Sequence, residues 1–164
     1  TDSDDLKEAW KVLQEGHYGL KDVIYEVVDK KIPFLGICLG LQILFERSEE
    51  SPGVEGLGLL KGEILRIPDK EGLKIPHMGW NSIHLQNEGR LFKGISQESY
   101  VYFVHSYYLK AEEEEIIKAT TEYSTHIHAS VEKGNLFACQ FHPEKSSDLG
   151  LAILKNFAEI GEED

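Results

Sequence analysis

Apolar residues recur along this chain first at helical and then at strand spacing. Leu6, Ala9, Trp10 and Leu13 predict a helix over residues 3–15, with Ser3 or Asp4 as its cap and acids in its first turn. Gly16 to Gly19 break it. Leu20, Val23, Ile24, Val27 and Val28 share one face of a second predicted helix, 20–30. Residues 32–37 form a short apolar run of the kind that makes a buried parallel strand, and 39–48 read as a helix. Beyond that point strands are expected at 62–67, 79–86, 100–109, 116–123, 127–133 and 136–141, with Pro68, Gly72 and Gly89 among the turn residues. A last helix is expected over 146–160, its apolar face marked by Leu149, Ile153, Leu154 and Phe157. The pattern is α/β, with helices before and after a mostly β second half.

The chain has 164 residues, enough for one domain with a sizeable core, and it shows no internal repeat or long linker. Its 29 acidic residues outnumber 17 basic ones, a formal charge of -12 that argues against a phosphate-backbone partner but permits a small anionic ligand. No apolar run reaches membrane-spanning length and no signal peptide is visible, although the sequence opens on Thr1. Two cysteines make no disulfide framework, so a reduced, cytoplasmic setting is expected. The acidic run 112–115 reads as a solvated turn.

The candidate chemistry begins at Cys38. A predicted strand, then Gly36-Ile37-Cys38-Leu39-Gly40, then a predicted helix is the layout of a nucleophile elbow. The corner exposes the thiol, small neighbours relieve clashes, and the helix N-terminus favours thiolate and an oxyanion. The same residues also fit a core cysteine between two packing glycines. A nucleophile needs a base. His142 ends an apolar run, is followed by Pro143, and has Glu144 two residues on to orient its ring. Taken together, Cys38, His142 and Glu144 read better as a triad than as three separate structural residues. Cys139 reads as structural, on one strand face with Phe137 and Phe141. His126 and His128 share a face but lack a third metal ligand, so they read as edge-strand histidines. His105 reads as structural, and His17, His77 and His84 as turn or surface residues.

"GICLGLQ" together with "FHPE" resembles the class I (triad) glutamine amidotransferases. "SEESPGVEGLGLLKGEI", "PHMGWN", "YVYFVHSYY" and "FACQFHPEKS" narrow the resemblance to the HisH-type glutaminase subunits of imidazole glycerol phosphate synthase, over nearly the whole chain. The resemblance implies a single amidotransferase domain over 1–164 with a flavodoxin-like three-layer α/β sandwich and a mixed, mainly parallel sheet. It implies that glutamine is hydrolysed through a thioester on Cys38, with His142 as proton shuttle and Glu144 as its orienter, and that ammonia passes to a (β/α)8-barrel, HisF-type cyclase partner in a heterodimer. No cofactor or metal is implied.

By position in the family's motifs, Gln42, Glu50, Ser106 and Tyr107 resemble the groups that hold the substrate's amino-acid end, and the Leu39 amide an oxyanion donor. Met78, Trp80, Asn81, Tyr102 and Lys145 resemble the partner interface. Exposed apolar side chains at "PHMGWN" would suit such a surface, though Trp80 and Tyr102 also fit core aromatics. The strands with which the family opens, and the glycine-rich turn that ends them, are not matched here, so the chain is expected to lack that N-terminal part. The alternatives are a non-catalytic scaffold or fragment of such a subunit, a glutaminase serving another synthase, and a thiol hydrolase or cysteine peptidase on a similar sheet.

Overall fold

The computed structural model describes residues 20–163; the helix expected over 3–15 lies outside the described residues. The elements run α1 (Leu20–Asp29), β1 (Phe34–Ile37), α2 (Leu39–Gln42), β2 (Arg47–Ser48), β3 (Gly62–Arg66), β4 (His77–Leu85), β5 (Ser99–His105), β6 (Tyr107–Ala111), β7 (Ile117–Tyr123), β8 (Thr125–Lys133), β9 (Leu136–Cys139) and α3 (Ser147–Glu163). Short 3₁₀ turns precede β7 and α3. Six strands form one sheet in the order β1-β9-β8-β7-β4-β5, and β2-β3-β6 form a second.

Strand β9 separates two cores. All four of its residues are buried, as they must be in a strand covered on both faces. Leu136 and Ala138 point into a cluster with Leu41, Leu44, Phe45, Ile64 and Leu109, against which Ile24, Tyr25 and Val28 of α1 pack. Phe137 and Cys139 point the other way, into a cluster with Phe103, Phe141 and the Ile153 and Ile160 side chains of α3. Helices thus lie on both sides of the sheet, the three layers of an α/β sandwich. Val23 does not join the α1 face: it is exposed, and Tyr25 takes the inward position, donating its hydroxyl to Leu57 O at 2.6 Å.

The sheet is mixed, but parallel pairing among the described strands is confined to β1–β9 and β2–β3; β9–β8, β8–β7, β7–β4 and β4–β5 are antiparallel. Among the described strands the pairing is thus mainly antiparallel, where a mainly parallel sheet was expected; β7–β8 and β8–β9 are joined by turns of one and two residues, Ser124 and Gly134-Asn135, too short for a parallel crossover. Two element boundaries also move. The helix expected over 39–48 ends at Gln42, since the carbonyls of Ile43, Leu44, Phe45 and Glu46 accept from the amides of Leu57, Leu60, Gly58 and Gly56 instead of continuing a helical ladder. The single strand expected over 100–109 breaks at Ser106, whose carbonyl accepts from Ile67 N, and its two parts join different sheets. His126 and His128 sit on β8, an interior strand rather than an edge.

Candidate active site

Strand β1 delivers Cys38 to a sharp corner. Its amide donates to Cys139 O at 2.7 Å, so the β1–β9 register fixes where the chain turns. The residue adopts φ 53° and ψ −101°, a conformation rare for a side chain larger than glycine, and α2 begins immediately after it. Gly36 is required sterically: a Cβ there would lie 2.5 Å from Gly40 O. Gly40 is not, because a Cβ on it would meet nothing within 4 Å; its expected role in relieving the corner is corrected accordingly.

The chain returns to this corner at the end of β9. His142 Nδ1 donates to Glu144 Oε1 at 2.6 Å, which leaves Nε2 as the acceptor nitrogen. Pro143 to Lys145 form the 3₁₀ turn that brings the carboxylate back to the ring. Nε2 is buried and meets no partner at hydrogen-bonding geometry, but the Cys38 sulfur is near enough to raise the imidazole pKa above its ordinary value. That neighbour is the largest influence; burial opposes it, and Glu144 adds to it. The three residues expected to form a triad are therefore brought together.

Next to them, Gln42 is fully buried. Its amide donates to Tyr107 O and to Gln140 Oε1, each at 3.1 Å, and Gln140 in turn donates to the Cys38 sulfur at 3.5 Å. Glu50 is buried near Tyr107, whose phenol pKa is raised first by burial and then by the Glu50 charge. Gln42 thus connects to the thiol through Gln140 and to Tyr107 through its carbonyl, with Glu50 near Tyr107, half-buried Ser106 preceding Tyr107 at the strand break and Leu39 opening α2. Gln140 was not singled out from the sequence, although one polar residue inside the apolar run 136–141 is a signal that could have found it.

The residues expected at an interface divide. Met78 and Trp80 are exposed, and Tyr102, opposite Trp80 in register, stacks edge-on against it with centroids 6.0 Å apart. Exposed Tyr100 extends the same face of β4–β5, and exposed Lys145 lies in the turn after His142. The Asn81 side chain belongs to the opposite face: its amide donates to Glu122 O at 3.0 Å and approaches His77 Nε2 at 3.4 Å. His77 is no surface residue. It is buried, stacked between Phe103 and Tyr123, and lies 3.0 Å from Nε2 of fully buried His105, whose Nδ1 donates to Tyr107 O at 2.9 Å. That carbonyl can only accept, so His105 carries its proton on Nδ1 and His77 donates to it. Among the described residues no cluster of three or more metal-ligating side chains occurs, and no helix is long and apolar enough to cross a membrane.

A cysteine at a strand–helix corner, a His–Glu pair beside it and helices on both sheet faces are the features to set against known proteins. Residues 15–160 match the family model for class-I glutamine amidotransferases, and the chain belongs to that family. It is 51% identical over 141 residues to the imidazole glycerol phosphate synthase subunit HisH of Methanocaldococcus jannaschii, covering 86% of this chain and 70% of that protein. It is 53% identical over 142 residues to the HisH subunit of Moorella thermoacetica, covering 87% and 67%. The fold matches PurLQS from Thermotoga maritima at a TM-score of 0.65 and 19% identity, covering 91% of this chain and 71% of that one. Within the family the chain therefore sits among the HisH subunits, the glutamine-hydrolysing part of that synthase, in histidine biosynthesis.

Proposed function

We propose that residues 1–164 work as one amidotransferase domain and that Cys38, His142 and Glu144 carry its glutaminase chemistry. His142 Nε2 takes the thiol proton as the sulfur attacks the side-chain carbonyl carbon of glutamine, and returns it to the departing nitrogen. Ammonia leaves, and a glutamyl thioester stays on Cys38. Water, deprotonated by His142, cleaves the thioester to glutamate. Glu144 holds the ring's tautomer through Nδ1 and stabilises the imidazolium. Gln42, Glu50, Ser106 and Tyr107 hold the amino-acid end of the substrate, and the Leu39 amide faces the oxyanion. The observation that carries this reading is the Cys38 corner set against a His142–Glu144 pair closed at 2.6 Å.

The partner in this reading is a (β/α)8-barrel cyclase subunit, bound as a heterodimer over the Met78, Trp80 and Tyr102 face with Lys145 at its border. Two adjacent strands that leave Met78, Trp80 and Tyr100 exposed support it, since a monomer rarely keeps so apolar a patch in water. Asn81, turned inward, then acts behind that surface rather than on it. Glutamate release is measured for the chain alone, with the cyclase, and with the cyclase plus its nucleotide ligand. Stimulation by the cyclase that disappears in Cys38→Ser is the expected result; turnover surviving in Cys38→Ser would remove the cysteine from the chemistry.

A further inference from the structure

The reactive pair is held to a strand edge. Among the described strands β5 pairs with β4 alone in its sheet, and main-chain groups of Tyr102 and Val104 are bonded outside that pairing. There, Val104 O accepts from the Cys38 thiol at 3.7 Å and Tyr102 O accepts from His142 N–H at 3.0 Å. The Tyr102 N–H donates to the Ser146 hydroxyl at 2.9 Å, and that hydroxyl donates to His142 O at 2.6 Å. One oxygen therefore closes a ring in which both main-chain groups of His142 are tied to both main-chain groups of Tyr102. Ser146 is fully buried, so water cannot take its place. Its backbone is fixed as well: Ser146 N donates to Pro143 O at 3.0 Å and Gly150 N donates to Ser146 O at 3.1 Å. Helix α3 presses in so closely that a Cβ at Gly150 would lie 2.8 Å from the Ser146 Cβ.

Glu144 sets how the imidazole is rotated, but nothing in that contact sets where the His142 backbone stands. We propose that Ser146 is a positioning residue for glutamine hydrolysis: its hydroxyl locks His142 to the edge of β5, the same edge that meets Cys38 through Val104. The distance between base and nucleophile is then the spacing of two residues along one strand. This inference rests on the reading of Cys38 and His142 as the reacting pair.

The test compares Ser146→Ala and Ser146→Cys with the unaltered chain in the complex with its cyclase. Cys38→Ser and His142→Ala serve as controls. Ser146→Ala is expected to lower kcat about tenfold to a hundredfold, the scale set by misplacing a catalytic group by about an ångström. KM for glutamine stays within about twofold, because Gln42 and Tyr107 are not touched. Alkylation of Cys38 by iodoacetamide at neutral pH slows in parallel. Ser146→Cys, with a weaker and longer donor, falls between. If Ser146→Ala does not fold, Ser146→Cys alone decides: a lowered kcat at unchanged KM supports the lock. Wild-type kcat per folded molecule and unchanged alkylation would overturn the inference, even if the melting temperature drops. Turnover remaining in either control would instead overturn the assignment of the reacting pair.

Discussion

At Cys38 the thiol sits on a backbone held at φ 53°, a conformation that costs a non-glycine residue about 1–2 kcal/mol and that the β1–β9 register and α2 impose from both sides. The strained corner sets the sulfur near His142, where it acts on the protonation of the imidazole. The sulfur outranks Glu144 in raising the His142 pKa. Cys38→Ser should therefore lower that pKa further than Glu144→Gln does, because a serine hydroxyl does not ionise near neutral pH. Histidine proton titration by NMR reads both shifts, and a larger drop in Glu144→Gln would reverse the ranking. The sign also fixes an activity profile. A base whose pKa is raised is lost to protonation earlier on acidification, so the acid limb of kcat/KM should lie above the ordinary histidine value and move down in Glu144→Gln.

The element that builds the corner has two glycines with different duties. Gly36→Ala would drive a Cβ into the Gly40 carbonyl, backbone against backbone, and should destabilise the fold by about 1–3 kcal/mol. Gly40→Ala meets open space and should leave stability unchanged or raise it by up to about 1 kcal/mol. Urea midpoints of the two variants separate these outcomes; equal losses would mean that the corner is not limited by the Gly36–Gly40 approach. The same element shows why parts of the molecule were legible in the sequence. Gly36-x-Cys38-x-Gly40 and His142-Pro143-Glu144 lie within short stretches of chain, so their spacing, taken together, suggested a site, although each part alone also fitted a structural role. The end of α2 at Gln42 depends on amides ten to sixteen residues beyond the carbonyls they reach, at Gly56 to Leu60. The break at Ser106 is set by Ile67, and with only that one residue between them β5 and β6 read as a single strand. Gln140 gains its meaning only once Gln42 and Cys38 lie beside it, and Ser146 only once β5 does, whereas the surface position of Met78 and Trp80 was expected from the family resemblance, the residues alone fitting a core aromatic at Trp80 as well.

Across the whole molecule the two sheets meet where β5 gives way to β6, and two neutral histidines are buried at that joint. His105 donates to Tyr107 O on β6 while receiving from His77 on β4. Burial pushes His77 down to about 4 and His105 down to about 3. A second proton on His105 would set two donors against each other across the 3.0 Å contact, and one on His77 would sit on Nε2 against the Asn81 amide. In the unfolded chain both titrate near the ordinary value of about 6.5. Above that value neither state binds the protons, and the pair contributes no pH dependence. As pH falls from about 6.5 toward 4, the unfolded chain takes up protons that the folded one refuses, so stability drops with a slope of up to about 1.4 kcal/mol per pH unit for each ring. His128, also lowered by burial to about 4, acts in the same direction, and His142, whose pKa is raised, works against it. Urea unfolding at pH 7.5 and pH 5 should show this loss. His77→Phe preserves the stack between Phe103 and Tyr123 but has no ring nitrogen to protonate. It should be less stable than the parent at pH 7.5, having left His105 Nε2 without its donor, yet lose less on acidification. An unchanged pH dependence in His77→Phe would locate the acid sensitivity elsewhere, and the joint between the sheets would then be held by packing alone.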